Sequence, residues 1–598
     1  MRALPLRLPH RGPYLLLAAY FFLAASLWNL LNPAFEAPDE VGHFAFLQHL
    51  VTERSLPRLR PGETGEAHQP PLYYFLAALA TLPADWGDPT GAFRPNPGFV
   101  WAGQGGTDRN AARHGTAETF PYRGQALALH LARQASVLMG LGTVLLTVAA
   151  GRRLFPGRRE IALLAGALVA ALPQFQFLSA AINNDNLATL LATAALLPFL
   201  RLLESPDRPR DWAALGVLVA LGGLTKASGI VPALAGGALA LGWALRVRSD
   251  RRRAPRLLLG GLAALALPSV LLTGWWFARN AALYGDPLAY GAYREVFAAN
   301  LRTTPFSLAE ARALLSTQFR SFVGLFGWMT LPLPAPVYGV AAGLAAAGLG
   351  GLGTLFLPRR RGDLAPRERR GLLALGGLVV LQEAYIAATL VDCNASCHQG
   401  RYLFPAIAPL MLLLAAGLVH LLPRRRAPLL AGVLAVALAL AALAVPLRVV
   451  PPAYRGVPLD KWSLWRVPVR TDLAYGDEIR LRGYALEGPG AAGALRVTLY
   501  WQALRPPERD YCAAVHLLDA SGAVLAQDDR APGADRGYPP SLWRAEDLVA
   551  ETHTLPLPPG ASGEGVRVRV GLYDWASGEH LLAGAGPFVT LGAEGVAP

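Results

Sequence analysis

The feature that most limits this chain is a repeated one: apolar runs long enough to cross a bilayer, separated by short arginine clusters. A helix rises about 1.5 Å per residue, so crossing the hydrocarbon core takes roughly 20 apolar residues. Eleven segments read as candidate spans, near 13–31, 124–150, 161–181, 186–201, 212–225, 229–246, 257–278, 335–357, 371–391, 402–422 and 427–449. The two within 212–246 are short. Composition agrees: 53% of residues are hydrophobic and 16% are charged, whereas soluble proteins carry about 25% charged residues. The expected fold class is a polytopic α-helical membrane protein with about 11 transmembrane helices, a count that rests on span length.

The arginine clusters orient those spans. Arg2, Arg7 and Arg11 precede the first; "GRRLFPGRRE" follows the second, "RVRSDRRRAPR" the sixth, "PRRRGDLAPRERR" the eighth and "PRRRAP" the tenth. With eleven spans all of these fall on one side, and excess Lys and Arg marks the cytoplasm. The opposite short loops, "AINNDN" and "DCNASCHQGRY", carry only Arg401. The N-terminus is therefore expected to be cytoplasmic, in a plasma (inner) membrane. The same clusters account for the +14 net charge, so it does not signal nucleic acid. The basic start and first apolar run resemble a signal peptide, but the run is long and lacks a clear cleavage site, so an uncleaved span is preferred.

Two large regions fall outside: a first extracytoplasmic loop over 32–122 and a tail over 451–598. In the tail, "ALRVTLYWQAL" puts Leu495, Val497, Leu499 and Trp501 on one face, and "GVRVRVGLYDW" does so with Val566, Val568, Val570 and Leu572. Alternation of this kind marks half-buried strands. Ser521-Gly522 and Ser577-Gly578 are turn signals between such runs. An extracytoplasmic β-sandwich of about 130 residues is predicted, following a 1–450 membrane domain. The loop stretch over 82–122, rich in Gly, Asn, Pro and Arg, is a candidate substrate lid.

The first loop opens with "FEAPDEVGHFAFLQHL". Phe44, Leu47 and Val51 repeat at helical spacing, with Phe46 and Leu50 widening the stripe. Such a helix could lie flat on the outer leaflet. Asp39 and Glu40 would stand at its N-terminus, where the helix dipole favours carboxylates. An ordinary helix start is a sufficient structural explanation for both. Further on, "EAHQPPLYYFLAAL" begins a second short helix with Pro71 near its first position. That too needs no chemistry taken alone, but two polar-started helices after one span are an unusual pair.

Together "PDEVGHFAFLQHL", "LPRL" and "HQPPLYYFLAAL" resemble the first extracytoplasmic loop of GT-C glycosyltransferases, of the protein O-mannosyltransferase and aminoarabinose transferase type. The resemblance continues in "AAINNDNLATLLA", "LTKASG", "WWFARNAALYGDPL" and "HQGRYLFP", covering most of residues 13–425. The tail is not shared. The resemblance implies a GT-C-like fold, a polyprenyl-phosphate sugar donor and an extracytoplasmic acceptor. It places the loop carboxylate, as base or metal contact, at Asp39. His68-Gln69 stands where aminoarabinose transferases carry a lysine, which leaves the donor sugar open.

Moving a sugar onto a hydroxyl needs a base for its proton and positive charge for the departing phosphate. Asp39 is the expected base, with Glu40 orienting the acceptor or helping to hold a divalent cation, Mg²⁺ or Mn²⁺. Arg401 is the favoured phosphate ligand because a guanidinium matches phosphate oxygens two-pronged; interfacial snorkelling is its plain alternative. Arg279 and Lys226 are further phosphate candidates. His43, one turn after Asp39, and His68, Gln69 and Tyr73 are candidate substrate contacts. Asn183, Asn184 and Asp185 read first as helix caps. Cys393 and Cys397 fit a local disulfide on an oxidising side, with Cys512 left over. Two other classes compete: a transporter or lipid flippase, for which Glu383 is the main intramembrane acid, and a non-catalytic envelope-polysaccharide assembly protein, which would tolerate loss of Asp39.

Overall fold

The computed structural model describes residues 12–60, 65–96, 99, 110–114, 118–305, 307–357, 364–389, 398–454, 459, 461–488, 493–534, 538–557, 566–584, 586–592 and 596–597. Its contacts divide the chain into two compact units: Met1–Trp86 with Leu127–Ala453, and Gly87–Ala126 with Tyr454–Pro598. The loop expected to belong wholly to the membrane domain is thus divided at Trp86.

The first unit is helical. All eleven expected spans contain helix. Among the described residues nine helices are long and apolar enough to cross a membrane, and ten if Arg159–Ala170 and Pro173–Ser179 form one span bent by 63°. The bend falls at Pro173, whose ring cannot continue the preceding helix. The remaining segment, Pro209–Gly223, has 15 residues and reaches about 22 Å at 1.5 Å per residue, short of the core thickness. The chain is a multi-pass membrane protein. Its span surfaces carry exposed apolar side chains such as Leu267, Val270, Leu271, Val433, Val436 and Leu440, a face that only lipid solvates without cost. Inside, Ala335–Leu355 packs on Ile407–Leu421 backbone to backbone: a Cβ on Gly417 would lie 1.8 Å from the Gly348 oxygen. Small residues permit such approach between spans.

After the first span come two short helices, Glu40–Thr52 and Leu72–Ala80. The predicted stripe is buried at Phe44, Phe46 and Leu47. Phe46 stacks on Tyr74 at 3.7 Å between ring centroids, which fastens the two helices together.

The second unit is a sandwich of two five-stranded sheets. One contains Tyr511–Leu518, Val524–Arg530, Arg567–Asp574, His580–Leu581 and Val589–Leu591; the other contains Val469–Tyr475, Ile479–Glu487, Ala494–Ala503, Leu548–Pro556 and Val596–Ala597. Leu495, Val497, Leu499 and Trp501 share one core with Val568, Val570 and Leu572, as the alternation predicted. Gly522 and Gly578 take positive φ at the expected turns. Cys512 is a buried free thiol, while Cys393 and Cys397 lie outside the described residues. Much of the expected lid lies outside them too. Its described residues from Gly87 onward are anchored within this unit, with Arg94 paired to Asp547 at 3.4 Å and Arg113 over the Tyr538 ring.

Candidate active site

Four segments remote in sequence bring charge together in the helical unit. Asp39 follows the first span, Asp185 starts the helix Asp185–Glu204, Lys226 precedes the turn Ala227–Gly229, and Arg401 lies in the 3₁₀ turn Gly400–Ala406. Asp39 accepts a hydrogen bond from Arg401 Nη2. Lys226 Nζ donates to Asp185 Oδ1 at 2.5 Å. Arg401 Nε stands 3.7 Å from Asp185 Oδ2, which joins the two pairs into one chain of alternating charge.

Local geometry explains how each group is aimed. Asp39 has φ 64°, ψ −1° and makes no side-chain cap bond to the helix it precedes. A non-glycine residue in this left-handed region is uncommon, although Asp tolerates it; here it leaves the carboxylate for Arg401. Arg401 is clamped on both sides. Gly400 N–H donates to Ser321 Oγ at 2.8 Å, and Gln382 Nε2 donates to the Tyr402 carbonyl at 2.7 Å. A Cβ on Gly400 would fall 2.4 Å from the Gln318 carbonyl, so the turn needs glycine there.

The cluster is incompletely satisfied. Arg401 is buried, yet its Nε and Nη1 have no hydrogen-bond partner, and neither has Asp185 Oδ2. Asp39 keeps 32% of its side chain exposed, so the cluster is open on that side. Burial alone would raise the Asp39 pKa, but the charge of Arg401, aided by His43 and Lys226, holds it below the ordinary carboxylate value. Leu196, Phe199, Leu215, Leu378, Pro405 and Ala406 line a small, mostly apolar cavity of about 30 Å³. The unpartnered Gln382 Oε1 belongs to another lining residue.

The segment before the second short helix adds further polar groups. Gln69 donates to Glu66 Oε2 at 3.1 Å and accepts from Asn184 Nδ2 at 3.0 Å. His68 lies 3.7 Å from Glu66 and against the rings of Tyr293 and Phe297. Burial, with Lys226 adding to it, lowers the His68 pKa to about 4. His43 shares a 2.8 Å hydrogen bond with the Tyr74 hydroxyl; burial lowers its pKa as well.

Three expected assignments are corrected. Glu40 is fully buried and its oxygens are consumed: Arg133 Nε and Nη2 donate at 2.7 and 2.5 Å, and the Phe35 and Ile182 amides donate at 3.2 and 3.0 Å. Arg133 spends its remaining donors on the Asn32 and Pro33 carbonyls. This two-pronged pair closes the core and leaves no oxygen for substrate. Asp39 and Glu40 therefore do not fit a shared divalent cation, and no group of three His, Cys, Asp or Glu side chains among the described residues is arranged to hold one. Tyr73 is buried, accepting from the Asn183 amide at 2.9 Å and bonded to Ser136 at 2.8 Å. Arg279 donates to the Pro57 carbonyl at 2.7 Å and lies over Trp276; it secures a loop and shares no hydrogen bond or ion pair with the cluster.

Asn183 does cap, accepting from the Asp185 amide at 2.8 Å. Asp185 itself, read as a cap, belongs to the cluster, and Glu66 was not singled out. Arg133, a charge within the apolar helix Gly124–Leu154, is the sequence signal for a buried partner.

A family model described as dolichyl-phosphate-mannose-protein mannosyltransferase matches residues 129–275. That stretch holds Arg133, Asp185 and Lys226, with "AAINNDNLATLLA" and "LTKASG", but not the first loop. Among solved structures, the chain is similar to ArnT from Cupriavidus metallidurans bound to undecaprenyl phosphate, with 18% identity over 73% of this chain and 66% of that one, TM-score 0.42. The apo state of ArnT gives 16% identity over 76% and 67%, TM-score 0.44. The S. cerevisiae protein O-mannosyltransferase Pmt1–Pmt2 complex bound to the sugar donor gives 18% identity over 53% and 37%, TM-score 0.32. The chain thus spans about two thirds of the length of ArnT. A search of curated proteins found no match. The chain is a polytopic membrane protein that over residues 129–275 is similar to the dolichyl-phosphate-mannose-protein mannosyltransferase family.

Proposed function

We propose that this protein is a membrane glycosyltransferase that moves a sugar from a polyprenyl-phosphate carrier to an acceptor on a protein, a lipid or an envelope glycan. The chemistry sits on the extracytoplasmic side of the inner membrane, with the N-terminus cytoplasmic. The observation that carries this reading is the joining of two cations, Arg401 and Lys226, through Asp39 and Asp185 in one cluster that is open at Asp39. Such a combination suits an anionic headgroup. A guanidinium binds phosphate oxygens by charge-assisted hydrogen bonds.

In the reaction, an acceptor oxygen attacks the anomeric carbon. The bond from that carbon to the phosphate oxygen breaks, and its electron pair stays on the phosphate. Arg401 and Lys226 stabilise the charge that gathers there, in a site where most water is excluded. Asp39 and Asp185 hold the two cations in position before the donor arrives. Direct attack inverts the anomeric centre.

The test is turnover. Purified protein in lipid is given a panel of polyprenyl-phosphate sugars with acceptor extract, and free polyprenyl phosphate is measured. Wild type should release it, and Asp39→Asn, folded equally well, should release at least about tenfold less. Equal release by both would move the site elsewhere, and no release with any donor would overturn the reading.

A further inference from the structure

We propose that Glu66 is the catalytic base: its carboxylate takes the proton of the acceptor hydroxyl, while Asp39 serves to set Arg401. The inference rests on the glycosyltransferase reading and deepens it.

The geometry separates two carboxylates in one electrostatic neighbourhood. Asp39 is engaged by Arg401, within reach of the position proposed for the donor phosphate. A proton placed on it would break that pair just when Arg401 must be held still. Glu66 pairs with no Lys or Arg among the described residues. Its close partners are the Gln69 amide and the His68 ring, and neither neutralises a carboxylate as an arginine does. It retains 15% side-chain exposure, so it is sheltered yet reachable. Gly42 makes room for it: a Cβ there would come within 3.1 Å of Glu66 Cγ. The second short-helix segment therefore lies against the first with Glu66 at the seam.

The groups acting on Glu66 are His43 on the first short helix, Asp39 before it, Gln69 and His68 on its own segment, and Lys226. Tyr74 and Tyr293 also feel its charge. Burial first, and then Asp39, raises its pKa, against the opposing pull of His43, Gln69 and Lys226. A base is most effective when its pKa approaches the working pH. Two acids driven apart by their surroundings, one held ionised and one made more basic, mark divided roles.

The step balances. The acceptor O–H proton moves to Glu66, the acceptor oxygen bonds to the anomeric carbon, and polyprenyl phosphate leaves with the electron pair. The proton then passes from Glu66 to water or to the released phosphate. One consequence concerns the acceptor. A phosphate acceptor is already an anion and needs no base, so the proposal commits the nucleophile to a hydroxyl.

The experiment measures kcat/KM for wild type, Glu66→Gln and Glu66→Asp in lipid, from about pH 5 to pH 9, with retention of radiolabelled polyprenyl phosphate as a separate binding readout. Wild type should lose rate as pH falls, because protonation removes the base. Glu66→Gln should be slower by about 10²- to 10⁴-fold, bind polyprenyl phosphate as wild type does, and lose that acid limb. Glu66→Asp should recover part of the rate with the limb displaced, which a merely structural glutamate would not do. Full rate with an unchanged acid limb in Glu66→Gln would overturn the assignment and leave the glycosyltransferase reading standing. Failure of wild type to turn over any donor would sink the reading itself.

Discussion

Asp39 and Glu40 are neighbours in sequence and opposites in structure. Glu40 turns inward to Arg133, and every oxygen of the pair's carboxylate finds a donor in the closed core. Asp39 turns to Arg401, where the carboxylate stays partly exposed and the arginine keeps two unmet donors. Both regions hold an arginine–carboxylate pair in a membrane protein, and both involve long-range contacts. The difference is exposure. A fully buried ion pair with all its hydrogen bonds made is a structural knot, whereas one whose carboxylate stays partly exposed can be reached by another molecule. Identity and adjacency do not separate the two; the exposure of the carboxylate does.

The largest effect should come from breaking the closed knot. Arg133→Leu leaves Glu40 buried without its cation, which costs about 3–5 kcal/mol. Thermal unfolding in detergent should show a large loss or failure to fold, whereas removing either partner of the open cluster should leave the midpoint much closer to wild type. A stable Arg133→Leu protein would contradict the distinction. At the small end, Arg279→Met removes a loop bond worth about 0.5–1.5 kcal/mol and should leave turnover within about twofold. A collapse of kcat without loss of stability would return Arg279 to the phosphate site.

The sequence made some of this visible and hid the rest for identifiable reasons. The sandwich strands were readable because Leu495, Val497, Leu499 and Trp501 repeat every second residue, a local signal of one-sided burial. The spans were readable because apolar length is local too, and Pro209–Gly223 fell short only where the run itself was short. Asp39 and Arg401 were singled out separately, but their pairing closes a separation of 362 residues, which no periodicity encodes. Asp185 reads as a cap because helix starts favour Asp for reasons unrelated to its partners. Glu40 was misplaced because its partner Arg133 was overlooked within an apolar run. Intramembrane charge is the clue to follow there, since such a residue needs a partner.

The most direct measurement compares Arg401→Gln with wild type in lipid, reading both retention and release of polyprenyl phosphate from a polyprenyl-phosphate sugar. The expected result is a fall in turnover of about 10²- to 10³-fold, with weaker retention and an almost unchanged unfolding midpoint. Undiminished turnover by a folded Arg401→Gln protein would contradict the assignment of the open cluster as the phosphate site.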